Sequence, residues 1–325
     1  MDNLSQDDMT SSGALWRHAK RHGYAARLKD LQQRRALATA WAIALDYLLI
    51  GAAMQVTLSV GWLTLLPALL LIGNRQRALV VLIHDASHRL LCTSGAANDR
   101  IARWLLCPPM LISMSRYRTL HLQHHQHLGD PQKDTDYLHD EALIAQGWWA
   151  TYRTQLLGRS NLFTSCFGML ARMTPRERLT TATWWALVLA GVAMGWGAQG
   201  LALFVGLWLT ARICVYHPLI SFVIISDHVG LVPGTVVSFT RNHPDNLVSR
   251  FIHPHNNGWH LAHHLMPGLP FHSLRSAHAL LMQWPPYRDA EHCEKYFSGP
   301  QSVVASWCRK SRRWTLPALD LLPRR

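Results

Sequence analysis

The chain has 325 residues, 49% of them hydrophobic and only 16% charged, with a formal net charge of +13. That much apolar content with so little charge excludes a disordered or wholly solvated chain. The positive charge fits either a nucleic-acid surface or the cytoplasmic segments of a membrane protein, and its placement along the chain separates the two.

Residues 1–36 form a polar, increasingly basic N-terminal tail carrying Arg17, Lys20, Arg21, Arg27, Lys29, Arg34 and Arg35. The expectation for it is a solvated or interfacial segment. Residues 37–56 are an Ala-rich apolar block broken by Asp46. Residues 58–83 are a second block, which holds Pro67 and passes through Asn74-Arg75-Gln76-Arg77. A bilayer-crossing helix needs roughly 20 residues at about 1.5 Å each, and both blocks reach that length. Residues 85–180 are polar and arginine-rich. Within them, the patch Leu105–Ser113, broken by Pro108-Pro109, and the aromatic-basic segment Trp148–Met173 read as interfacial. Residues 182–199 and 200–225 are the third and fourth apolar blocks. Arg212 interrupts the fourth, and His217-Pro218 is expected to kink it. Residues 226–325 are again polar and basic, and 286–325 read as a basic C-terminal tail.

The two turns between paired blocks, Val56–Gly61 and Gly195–Gly200, carry no charge, whereas every other connecting segment is basic. This is the positive-inside asymmetry of an inner-membrane protein with four transmembrane helices in two hairpins. It places both termini and the polar segments in the cytoplasm and accounts for the net charge without nucleic acid. The six cysteines are scattered and form no CxxC, which fits reduced packing thiols.

Three histidine groups stand at or beyond the ends of the apolar blocks: His84-x3-His88, His121-x2-His124-His125 and His260-x2-His263-His264. His228 lies just past the fourth block, at the depth of His84. Neutral imidazole is a good ligand for first-row transition metals, and residues three or four apart on a helix share a face. So many histidines exceed the needs of one tetrahedral zinc and suit two ions.

The order HxxxH, HxxHH, lone His, HxxHH resembles the membrane fatty acid desaturase family. The run His263-His264-Leu265-Met266-Pro267-Gly268-Leu269-Pro270-Phe271 is similar to that family's HH-L-x-P-x-x-P-F/Y tail, and Asp130–Asp136 resembles its acidic stretch after the second box. The resemblance spans roughly residues 40–285 and marks 37–285 as the desaturase-like membrane domain. It implies an all-α membrane anchor with a helical cytoplasmic cap around two non-haem iron ions. By analogy, one iron takes His84, His88, His121, His125 and His264, and the other takes His124, His228, His260 and His263. It further implies O2 as oxidant, membrane lipid as environment, and hydrogen removal from an unactivated C–H bond. No H-P-G-G haem signature occurs, so an external ferredoxin, cytochrome or reductase is expected to supply electrons.

Asp85, Asp134, Asp136 and Asp227 are candidates to orient ligand histidines, with helix capping as the competing role. Asn256 and Asn257 could hold a metal-bound water or shape a turn. Arg116, Arg118, Arg241 and Arg250 could read a carboxylate or phosphate, or contact headgroups. Where many relatives have Y-H-x-E-H-H, this chain has Trp259 and Ala262, neither of which is a ligand position. The substrate expectations are a fatty-acyl lipid chain, a small aliphatic metabolite or an amino-acid-derived secondary metabolite. Hydroxylation is an alternative outcome. A membrane zinc protease built on His84-Asp85-x2-His88 would leave the other boxes unexplained.

Overall fold

A computed structural model describes residues 10–138 and 140–308. Residues 1–9 and 309–325, the outer ends of the two expected tails, lie outside the described residues. The fold is essentially all-α. Among the described residues the exceptions are one parallel pair of two-residue strands, β1 (Arg241–Asn242) and β2 (Glu291–His292), and a single bridge between Lys295 and Ser302.

Two short helices, α1 (Ser12–Arg21) and α2 (Ala25–Asp30), precede the first apolar block. That block becomes α3 (Ala36–Val60), which turns at Gly61 and leads into α4 (Leu65–Ser87). Pro67 sits in the first turn of α4, where its missing N–H would have had no helical partner anyway. The second histidine box lies on α5 (Met114–Gln126). A capping box at Thr174 and Glu177 starts α6 (Pro175–Ala211), which passes through a π-turn at Arg212–Tyr216 into α7 (His217–Ser226). The third box forms α8 (His260–Leu265), followed by α9 (Leu274–Leu281).

Among the described residues three segments are long and apolar enough to cross a membrane: Ala36–Val60, Trp62–Ser87 and Pro175–Ser226. The last has 52 residues and would reach about 78 Å if straight. It is not straight. Gly197 has φ 65 and ψ −170, outside the helical region and costly for a residue with a Cβ. The rings of Trp185 and Trp208 lie 5.6 Å apart, although 23 positions of straight helix would separate them by about 35 Å. The chain therefore doubles back at Gly197, inside the uncharged turn expected from sequence. Trp196 Nε1 donates to Gln55 Oε1 at 2.9 Å, tying this turn to the far end of α3. The outward faces carry exposed Leu48, Leu63, Leu66, Leu187 and Met194. Apolar surface on this scale belongs against lipid, and the protein is membrane-associated.

The proline-broken patch does not lie free on a surface. Cys107, Pro108, Pro109 and Met110 are buried. Arg212, the charge inside the fourth block, donates to Met110 O at 2.9 Å and Cys166 O at 2.8 Å. Gly73 lets α4 approach the π-turn closely, since a Cβ there would fall 2.4 Å from Val215 Cβ.

The N-terminal segment also packs rather than trailing in solvent. Leu15, Ala19, Tyr24 and Leu28 are buried with Leu261, Ala262 and Leu265 of α8, while Arg17, Lys20, Arg21 and Arg27 stay exposed. The short α1 and α2 are amphipathic, so their basic residues mark the outer face of a docked segment. Likewise Val303, Val304 and Trp307 are buried against Phe222 and Ile225 of α7.

Gly73→Ala is expected to lower stability by about 1–3 kcal/mol through overpacking. Adding Val215→Ala should recover part of that loss. Thermal unfolding of the two variants checks this, and an unchanged midpoint in the single variant would contradict the close approach.

Candidate metal centre

Four helix ends converge to make the centre. His84 and His88 end α4. His121, His124 and His125 lie on α5, His228 follows α7, and His260, His263 and His264 lie on α8. Two groups result, each able to hold a metal ion: His84, His88, His121, His125 and His263 in one, and His124, His228, His260 and His264 in the other. The two adjoin where the His125 and His264 rings stack 4.2 Å apart.

This division exchanges His263 and His264 relative to the partition expected by analogy. The reason is helical period. Residues four apart stack on one face, so His121 travels with His125 and His260 with His264. The remaining members, His124 and His263, turn to the neighbouring cluster.

The donor set fits metal ions. Nε2 atoms face one another at 2.8 Å for His88 and His121, 3.1 Å for His121 and His125, and 3.0 Å for His125 and His263. In the second group the separations are 3.3 Å for His124 and His264 and 3.1 Å for His228 and His260. Two imidazoles bound about 2.1 Å from one ion at right angles would sit about 3 Å apart. Both ring nitrogens of His84 are buried without a hydrogen-bond partner, a state that a ligated ion would relieve.

Electrostatics keep most of the rings neutral, the form that ligates. Burial pushes His88 down to about 3, helped by the nearby Arg118 guanidinium. Burial also takes His228 down to about 4 and holds His121, His260, His263 and His264 well below the usual histidine range. His124 goes the other way. Burial pulls it down, but its bond to Asp134 and the nearby carboxylates outweigh that and raise it.

The neighbouring carboxylates divide by role. His124 Nδ1 donates to Asp134 Oδ1 at 2.6 Å, and Asp134 Oδ2 accepts from Gly129 N–H at 2.8 Å. This bond aims His124 Nε2 at the second cluster, as an outer-shell carboxylate does for a ligand. His228 is aimed similarly, its Nδ1 donating to Phe239 O at 2.8 Å. Asp227 Oδ1 accepts from His243 Nε2 at 3.0 Å, and its Oδ2 lies 3.7 Å from His260 Nε2. Burial would raise Asp227, but His260 and His243 hold it far below the carboxylate range. Asp85 Oδ1 is 3.5 Å from His84 Nδ1, while its Oδ2 accepts from Phe271 N–H at 2.8 Å. Asp136 makes no bond to a ligand ring. It lines a cavity beside the clusters instead.

Asn256 takes the turn role. Its φ is 60, and Nδ2 donates to Phe271 O at 3.1 Å. Asn257 is the one that faces the cavity, so of the two amides Asn257 and not Asn256 lies beside the metal-binding side chains. That cavity, of about 220 Å³, exposes His84, His121, His124, His228 and His260. Arg77 and Tyr117 also line it, beside the Asn257 that the sequence offered, and neither of these two was singled out from sequence. The signal for Arg77 was present, because a charge inside a membrane-length helix marks function. Two of the arginines that were singled out work elsewhere. Arg118 donates to Ala86 O at 2.9 Å and Ser87 O at 3.1 Å, capping α4, and Arg241 donates to Ser226 O at 2.8 Å, capping α7.

Asp134→Asn is expected to weaken metal retention at the second cluster by about 10–100-fold. Metal analysis after chelator challenge reads this, and wild-type retention would contradict the orienting role.

Comparison with known proteins agrees with this geometry. The sequence profile described as Fatty acid desaturase matches residues 60–296. Dihydrorhizobitoxine desaturase of Bradyrhizobium elkanii is 30% identical over 299 residues, covering 83% of this chain and 84% of its own. The sn-1 oleoyl-lipid 12-desaturase of a Picosynechococcus species is 23% identical over 260 residues, covering 70% and 72% respectively. With histidine clusters suited to a binuclear metal centre in a membrane-associated helical frame, the chain belongs to the fatty acid desaturase family and is an oxidoreductase of the desaturase type.

Proposed function

We propose that the protein is an inner-membrane, di-iron, O2-dependent desaturase acting on a small aliphatic metabolite. The carrying observation is the pair of histidine clusters facing one restricted, partly polar cavity. The nine clustered histidines are its metal ligands, with Asp134 and the Phe239 carbonyl as supports of His124 and His228. Two non-haem irons held there would supply O2 activation and removal of hydrogen from an unactivated C–H bond.

The overall reaction balances as CH2–CH2 plus O2, two electrons and two protons giving CH=CH and two waters. The electrons come from a separate ferredoxin, cytochrome or reductase. The chain's own part is positional. Buried imidazoles present neutral lone pairs, Asp134 and the Phe239 carbonyl fix two of them, and the cavity holds one C–H bond against the clusters while limiting water.

The reversal at Gly197 supports four crossings in two hairpins, because the 52-residue segment has length for two. Uncharged turns near Gly61 and Gly197 support placing both on the far side, with termini and metal centre in the cytoplasm.

A small metabolite is favoured over an acyl chain by the cavity's size and by the kind of substrate named for the 30%-identical relative. The lipid reading draws on the lipid-facing helices and on the oleoyl-lipid enzyme.

Purified protein should carry two irons per chain, and His124→Ala or His263→Ala should abolish turnover. Near-zero iron with full activity in those variants would sink the proposal. A product two mass units lighter than its precursor marks desaturation, and one sixteen heavier marks hydroxylation. Cysteines placed at positions 62 and 198 should react with an impermeant reagent from the far side only, and labelling from the cytoplasm would break the topology.

A further inference from the structure

The cavity beside the clusters holds a charge that the metal-binding side chains do not use. Arg77 lies on α4, about two turns before His84. It is 4% exposed and donates to Asn257 Oδ1. Its Nε is buried without a hydrogen-bond partner, and no carboxylate among the described residues forms an ion pair with it. Burying a guanidinium with so few partners is costly unless an anion completes it. The guanidinium's planar fork matches a carboxylate at two points.

Asp136 lines the same cavity. Its side chain is reached by solvent, and the hydrogen bond it enters is made through its own backbone N–H to Asp134 Oδ1. One cavity thus offers an incompletely paired cation and an acceptor free for a cation. The lining also includes apolar Val80, Ile220, Val223 and Ile224, and the carboxylate of Asp227, which His243 already engages. The volume of about 220 Å³ equals roughly seven water-sized shares of ~30 Å³. It falls below the ~300 Å³ at which pockets for drug-sized ligands begin. A short aliphatic molecule fits this volume.

We propose that this cavity is a site for a small aliphatic α-amino acid, Arg77 holding its carboxylate and Asp136 its ammonium. The side-chain methylenes then lie among the apolar residues and against the histidines. This deepens the desaturase reading and rests on it for the cavity's being where substrate meets the metal centre.

The test uses iron-loaded full-length protein in detergent, with calorimetric titration of L-norleucine, its methyl ester and hexanoate. Norleucine should bind at least tenfold more tightly than the ester. Arg77→Gln should erase that difference, and Arg77→Lys should restore part of it. Asp136→Asn should weaken norleucine at least tenfold and leave hexanoate unchanged. If Arg77→Gln fails to retain iron, the ester and hexanoate comparisons on the unmodified protein decide.

Absence of norleucine binding, equal binding of acid and ester, or indifference to both substitutions would overturn the proposal. So would equal conversion of stearoyl-phosphatidylcholine vesicles by wild type and Arg77→Gln, which would leave the desaturase reading standing. Conversely, an iron-free protein showing the expected binding pattern would sink the desaturase reading and spare the amino-acid site.

Discussion

The structure depends on keeping a crowd of imidazoles buried, neutral and face to face. Their nitrogens approach to about 3 Å, a spacing that charged rings would not tolerate. Burial lowers proton affinity for most of the group, and helical period decides which ring joins which cluster. Both effects arise before any metal is considered. Desolvation comes from helices that pack apolar residues around the rings, and period comes from the backbone. Asp134 acts against the trend at one ring and supplies direction in return.

Holding four helix ends together requires fasteners. The backbone of Phe271 is gripped twice, its N–H by Asp85 next to the first box and its carbonyl by Asn256 just before the third. Asp46, fully buried in α3, accepts from Arg75 Nη1 and His255 Nε2, each at 2.8 Å. A buried carboxylate with two such partners is satisfied, whereas one left alone would be expensive. His255 and Asn256 are consecutive left-handed residues with φ 53 and 60, a conformation costing about 1–2 kcal/mol each outside glycine. The bonds to Asp46 and Phe271 hold that kink in place just ahead of α8.

Much of this was legible in the sequence. The apolar runs marked the long helices, and the uncharged stretches marked the reversals at Gly61 and Gly197. The boxes named the clustered rings because ligand spacing on a helix is a local property. The third box divides between the clusters differently from the analogy, with His260 and His264 together, because their i, i+4 relation outweighs i, i+3 in this short helix. The docking of residues 12–30 was hidden because five lysines and arginines dominated the segment, while the buried face rests on a few well-spaced residues such as Leu15 and Leu28. Arg77 was passed over as part of a polar interruption, and its significance appears only when α4 turns it toward Asn257. Long-range placement of this kind is not written in any local pattern.

The docking of α1 and α2 on α8 bears on how the protein is made. The helix that α1 covers is synthesised about 240 residues later, so α1 must wait for nearly the whole membrane domain before it can dock. The histidine clusters likewise need residues from 84 to 264 before either is complete. Neither cluster can close until α8 has been made, so α1 and the histidines of α4 and α5 share the same late partner.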